Sequence, residues 1–179
     1  MGWRLSLGFI LLVLVAFTGY WTKQEVAWRQ LSRASLQGNF AEAKQGYRKL
    51  YPFLSENPLF LYNYGAELYY AGDWSESLVM MKECAEQLNG TDIQMIIGDD
   101  YERIGNDAEA EKHFRQAAAM CPVRFVPLYR LVKLLEKTGR HEEALRLAEE
   151  LSEKPVKVSS YIVEKIKREM NDFLRCNQN

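Results

Sequence analysis

The chain has 179 residues, 47% of them apolar and 26% charged, enough for one ordinary domain core and too apolar for intrinsic disorder. A formal net charge of -1 and a pI near 6.2 leave no basic footprint with which to displace counterions from phosphates, which excludes nucleic acid as a partner. Cys84, Cys121 and Cys176 lie far apart, with no CxxC and no interleaved histidines, a pattern that fits neither a metal site nor a paired disulfide framework.

The first element is the uncharged run Leu5–Thr22 between Arg4 and Lys23. At about 1.5 Å per residue it is just long enough to span hydrocarbon as a helix. Trp3 on one side and Tyr20 with Trp21 on the other stand where amphipathic rings favour the headgroup layer. A cleaved secretory signal is the competing reading, because the charged start is short and Leu7–Phe17 is signal-like. The following Thr18-Gly19-Tyr20-Trp21, however, lacks the small-x-small pattern of a cleavage site. The expectation is an uncleaved transmembrane anchor over 1–23 in contact with membrane lipid, running on without a linker into good helical sequence at Lys23–Gln37.

From there the sequence repeats. Gly38, Gly72, Gly105 and Gly139 recur at spacings of 34, 33 and 34 residues, each followed four places on by Glu42, Glu76, Glu109 or Glu143 and then by a small residue, Ala43, Ser77, Ala110 or Ala144. A glycine just past one helix can take the left-handed conformation that ends it. Asn39, Asp73 or Asn106 can then cap the next helix, with the glutamate completing a capping box. Arg140 breaks the rule, so the fourth pair starts its second helix less firmly. Asn57-Pro58 reads as a cap and first helical residue, and Thr91-Asp92-Ile93-Gln94 as a further capping box.

The period is that of a tetratricopeptide repeat, and the expected architecture is all-α. One transmembrane helix precedes an α-solenoid of about four helix pairs over 24–157 (about 24–57, 58–90, 91–124 and 125–157), and residues 158–179 form a capping helix and tail. The first unit is degenerate, with no glycine at its first-helix crossing. The third is the best match, through Gly98, Tyr101, Gly105, Ala110, Phe114, Ala117 and Pro122. Beyond Pro155, Ile162, Val163, Ile166, Met170, Phe173 and Leu174 fall at helical spacing with a charged opposite face, as an end repeat needs.

In such a stack the first helix of each pair faces the partner. Its groove positions give Tyr62, Tyr69 and Tyr70 in the second unit, Met95 and Asp99 in the third, and Tyr129 and Lys133 in the fourth. Tyrosines suit a peptide, a partner's loop or a sugar ring; the competing reading is that several of them fill seams between repeats. Chemistry finds little support. Asp99 and Asp100 are adjacent and point about 100° apart on a helix. His113 and His141 fall in different repeats with no nucleophile at useful spacing. No catalytic residue, metal ligand or cofactor is expected, and Asn89-Gly90-Thr91, although a glycosylation sequon, is explained by turn chemistry.

Three strings carry a more specific resemblance: Phe60-Leu61-Tyr62-Asn63-Tyr64-Gly65; Met120-Cys121-Pro122-Val123-Arg124-Phe125 leading into Pro127-Leu128-Tyr129; and Lys154-Pro155-Val156-Lys157-Val158-Ser159-Ser160. Together they resemble the C-terminal repeat tail of bacterial O-antigen ligase or polymerase-like membrane proteins. The resemblance implies a place in surface-polysaccharide assembly with a protein partner in the cell envelope, such as a glycan-assembly enzyme. It does not imply transferase activity, since the family's many membrane helices and large loop have no counterpart here. The main expectation is therefore a membrane-anchored, non-catalytic interaction scaffold. Two alternatives stand beside it: the C-terminal fragment of a glycan ligase, and a stand-alone glycan-binding domain. The expected location is the bacterial inner membrane with the repeats in the periplasm, although Lys23, Arg29 and Arg33 outnumber Arg4 in the opposite sense.

Overall fold

The computed structural model describes residues 2–36 and 40–177, with side chains described for 8–33 and 40–177. Gly38 and its expected cap Asn39 lie outside the described residues. Nine helices are present among them: α1 (Gly2–Leu36), α2 (Phe40–Leu54), α3 (Pro58–Ala71), α4 (Trp74–Gln87), α5 (Thr91–Arg103), α6 (Asp107–Met120), α7 (Val126–Lys137), α8 (His141–Glu153) and α9 (Tyr161–Asn177). The helices form two compact units, Met1–Cys84 and Ala85–Asn179.

The expected transmembrane span over 1–23 is not met: among the described residues no helix is long and apolar enough to cross a membrane. As expected, the apolar run is the first half of a single helix that continues unbroken to Leu36.

The first unit is built on aromatic packing. Tyr47 and Tyr64 stack with ring centroids 5.4 Å apart and planes within 5°. Phe60 tilts against both, and Trp28 meets Phe60 edge-on. The Tyr47 hydroxyl, buried among these rings, shares a hydrogen bond with Ser32 Oγ at 3.1 Å. Close approach between α1 and α2 comes from Gly46, where a Cβ would stand 2.3 Å from the Leu31 side chain. The glycine missing from the first helix of this pair is thus supplied by the second.

Asn57 caps α3, its Oδ1 accepting from the Leu59 and Phe60 amides at 3.0 and 3.4 Å. Gly72 closes α3 at φ 82°, with the Asp73 amide reaching back to the Leu68 carbonyl at 2.9 Å. Both side chains of the expected Asp73–Glu76 capping box meet cations of α2. Asp73 accepts from Lys44 Nζ at 2.5 Å, and Glu76 pairs with Arg48 at 2.8 Å.

The second unit packs in two layers. Ala110 and Phe114 of α6 meet Leu131 and Leu134 of α7. Ala144, Ala148 and Leu151 of α8 meet Ile166, Met170 and Leu174 of α9. Gly98 of α5 lies so close to α6 that a Cβ there would stand 2.5 Å from the Phe114 ring. The turns after α5 and α7 hold Gly105 and Gly139 at φ 84° and 77°.

Asn106 caps α6 through a bond from the Glu109 amide at 3.3 Å. Thr91 does not cap α5 as expected. The cap position is Gly90 with no side-chain bond, and Gln94 turns away to donate to Asn89 Oδ1 at 2.7 Å. At the start of α8, Arg140 makes no cap bond and instead pairs with Glu111 and Glu143, both at 2.5 Å. Ser160 accepts from the Val163 amide at 3.3 Å and starts α9.

Candidate partner-binding surface

In the first unit Tyr62 and Tyr69 are half-buried and Tyr70 is 73% exposed. Tyr69 and Tyr70 meet edge to face with centroids 5.3 Å apart. Adjacent helical residues do not share a face, so this contact turns the Tyr69 ring toward its neighbour. A separate apolar recess of about 250 Å³ lies between Tyr64 and Leu68 of α3 and Ser75, Val79 and Met80 of α4.

In the second unit Met95 is half-buried against the Phe114 layer and serves packing. Asp99 is bound by Arg130, which also holds Glu102 at 2.9 Å. The same guanidinium sits over the Phe114 ring, 5.3 Å from its centroid. Lys137 continues the chain of ion pairs, reaching Asp107 at 2.6 Å and Glu102 at 3.8 Å. Asp99 is therefore one end of an ion-pair network that ties α5 to α7. Arg130 was not singled out in the sequence, because nothing local marks an arginine whose partners lie about thirty residues away.

Tyr129 and Lys133 do come together: the ammonium stands over the phenol ring at 5.5 Å. The Tyr129 hydroxyl donates to Glu169 of α9 at 2.7 Å. These contacts border a cleft of about 240 Å³ between α7 and α9. Its walls are Val126 and Tyr129 on one side and Tyr161, Ile162, Lys165 and Ile166 on the other. Ile166 closes the floor at 4% exposure, whereas Tyr161 and Ile162 stand out at 77% and 57%. The sequence reading treated α9 only as a cover for α8. Ile162 was visible there as one more apolar residue at helical spacing, which cannot tell a core position from a cleft wall.

Burial, and after it the Glu169 carboxylate, pushes the Tyr129 phenol up from 10.0 to about 12. A folded value above the unfolded one means the hydroxyl contributes its full stability below pH 10.0 and loses it as pH climbs toward about 12. Denaturant unfolding of the native chain and of Tyr129→Phe should therefore differ by about 1 kcal/mol below that window and converge across it.

The remaining polar candidates have structural partners. His113 Nδ1 lies 2.6 Å from Gln94 Oε1, and its ring stacks on Tyr101. His141 Nδ1 lies 2.8 Å from Glu136, with Phe173 edge-on. Asp100 is fully buried while Asp99 faces Arg130, so the two carboxylates do not converge. Cys84 is buried and donates to the Pro58 carbonyl at 3.2 Å, and burial pushes its thiol up. Among the described residues no cluster of histidine, cysteine and carboxylate side chains is placed to hold a metal ion.

Helix pairs joined by left-handed glycine turns make an all-helical, tetratricopeptide-like repeat fold. Solved structures with this fold include the MamA protein, 17% identical, covering 85% of this chain and 88% of that one at TM-score 0.69. They also include the type III secretion translocator chaperone SycD of Yersinia enterocolitica, 13% identical, over 68% of this chain and 90% of that one at 0.59. A chain of the CopN–Scc3 complex is 18% identical, over 70% and 74%, at 0.59. No protein-family model and no curated protein matches the chain, so the resemblance to O-antigen ligase tails finds no support there.

Proposed function

We propose that the chain is a non-enzymatic interaction scaffold whose second unit holds an extended segment of a partner protein in the α7/α9 cleft. One observation carries this reading. Val126, Tyr161 and Ile162 stay exposed around the cleft, while Val132 and Leu135 of α7 and Ile166 and Met170 of α9 are buried in the core. An aromatic and a branched aliphatic side chain flanking a recess of this size suit an inserted apolar side chain. Lys133 and Lys165 at the rim favour a neighbouring acidic residue on the partner. The chaperone and complex-forming chains that share the fold support the reading.

The test is selection from a random peptide display library on the full chain. Recovered sequences should share one large apolar residue beside an acidic one, and Ile162→Asp should weaken them by about tenfold or more, as expected for a central contact. Recovery of no common sequence, or of one indifferent to Ile162→Asp and Tyr161→Ser, would remove the cleft from the account.

A further inference from the structure

We propose that the first half of α1, from Phe9 to Trp21, is a lipid-inserting stalk that occupies bilayer hydrocarbon with Tyr20 and Trp21 at the headgroup layer. The inference is independent of the α7/α9 cleft and rests on how the apolar surface is distributed. Phe9, Ile10, Leu11, Leu12, Val13, Leu14 and Val15 are consecutive, and each is more than half exposed. At about 100° per residue, seven successive positions cover every direction around a helix. Amphipathic helices that dock in a groove, or pair with a second copy, show one apolar stripe and a polar back. This segment has no polar back, so a single partner face would leave most of its side chains in water. Hydrocarbon covers all of them at once.

The polar groups at its end are arranged accordingly. Thr18 Oγ1 donates to the Val15 carbonyl at 3.0 Å and Thr22 Oγ1 to the Thr18 carbonyl at 2.8 Å, so both hydroxyls are satisfied within the helix. The folded body begins where the apolar run stops, with Tyr20 edge-on to Phe53 of α2 at 5.7 Å. Trp21 stands at the same level, 39% exposed and packed on Phe17. Lys23 follows on an exposed position, suited to headgroup phosphates. From Phe9 to Tyr20 the helix runs about 17 Å, roughly the depth of one leaflet.

The experiment dilutes the full chain from detergent into phosphatidylcholine/phosphatidylglycerol vesicles and follows flotation together with tryptophan quenching by brominated lipids. In a Trp3→Phe background the proposal predicts co-flotation, with quenching that falls when Trp21→Phe is added and is stronger for bromines near the headgroups than for bromines at the chain ends. Leu11→Asp with Leu14→Asp should lower partitioning by at least tenfold while far-ultraviolet circular dichroism stays that of the folded chain. A native chain that remains in the aqueous fraction overturns the proposal. So does a defined oligomer that the double variant dissolves without any vesicle binding, because a second copy would then be the cover.

Discussion

Phe114→Ala should lower the unfolding free energy by about 3–5 kcal/mol, the range for deleting a fully buried aromatic side chain. Phe114 has no exposed surface and joins three helices. It packs with Ala110 on α6 and with Leu131 and Leu134 on α7, while Gly98 of α5 lies against its ring. The same ring fixes what residue 98 can be. In Gly98→Ala the new methyl would stand 2.5 Å from Phe114 Cε1, and a ring enclosed on all sides has little room to withdraw. That substitution alone should cost about 1–3 kcal/mol by overpacking. Combined with Phe114→Leu, it should cost less than the two single changes together, since the smaller side chain vacates the contested space. Urea unfolding of the four chains closes this cycle. Additive losses would mean that α5 and α6 do not meet at this point.

Arg130→Ala should be the second large effect, about 2–3 kcal/mol. A fully exposed ion pair is worth about 0–1 kcal/mol and breaking a buried one costs about 3–5. Arg130, Asp99 and Glu102 fall between these cases, with side chains 28%, 16% and 22% exposed. Removing the guanidinium leaves two carboxylates near each other without their shared cation and strips the cover from the Phe114 face. Arg130→Met keeps an apolar stem over the ring, so the gap between the Met and Ala variants measures the packing share. Adding Asp99→Asn to Arg130→Ala should recover part of the loss by removing one of the two neighbouring negative charges. A loss below about 0.5 kcal/mol for Arg130→Ala would place the network among ordinary surface pairs.

The features legible in the sequence are those set by backbone geometry. Gly72, Gly105 and Gly139 stand out because φ near 80° excludes most side chains, so the requirement leaves a periodic mark. Asn57 and Asn106 were readable as caps for the same local reason. Asp73 and Thr91 carried the same local signal and did something else. Asp73 had Lys44 within reach from another helix, and the turn before Thr91 is held by a Gln94–Asn89 bond. The candidate surface was less legible still. Tyr129, with Lys133 over its ring, lines one side of the cleft, but the other wall comes from Tyr161, Ile162 and Lys165. Helical spacing assigns a residue to a face without saying whether that face ends in a core or in a recess. Asp99 was read as open groove surface, and only the fold brings Arg130 to it.

The apolar start of α1 was plain from composition, and its exposure around the whole helix sharpens what composition alone implied.

The most direct measurement of the scaffold reading is photocrosslinking from single benzoylphenylalanine residues placed at Val126, Ile162 and Tyr70 of the full chain, with a display-selected peptide as ligand. The account predicts that positions 126 and 162 both label the peptide, at residues next to its large apolar side chain, and that position 70 does not. Labelling from position 70 with none from 126 or 162 would contradict it and move the partner surface to the first unit.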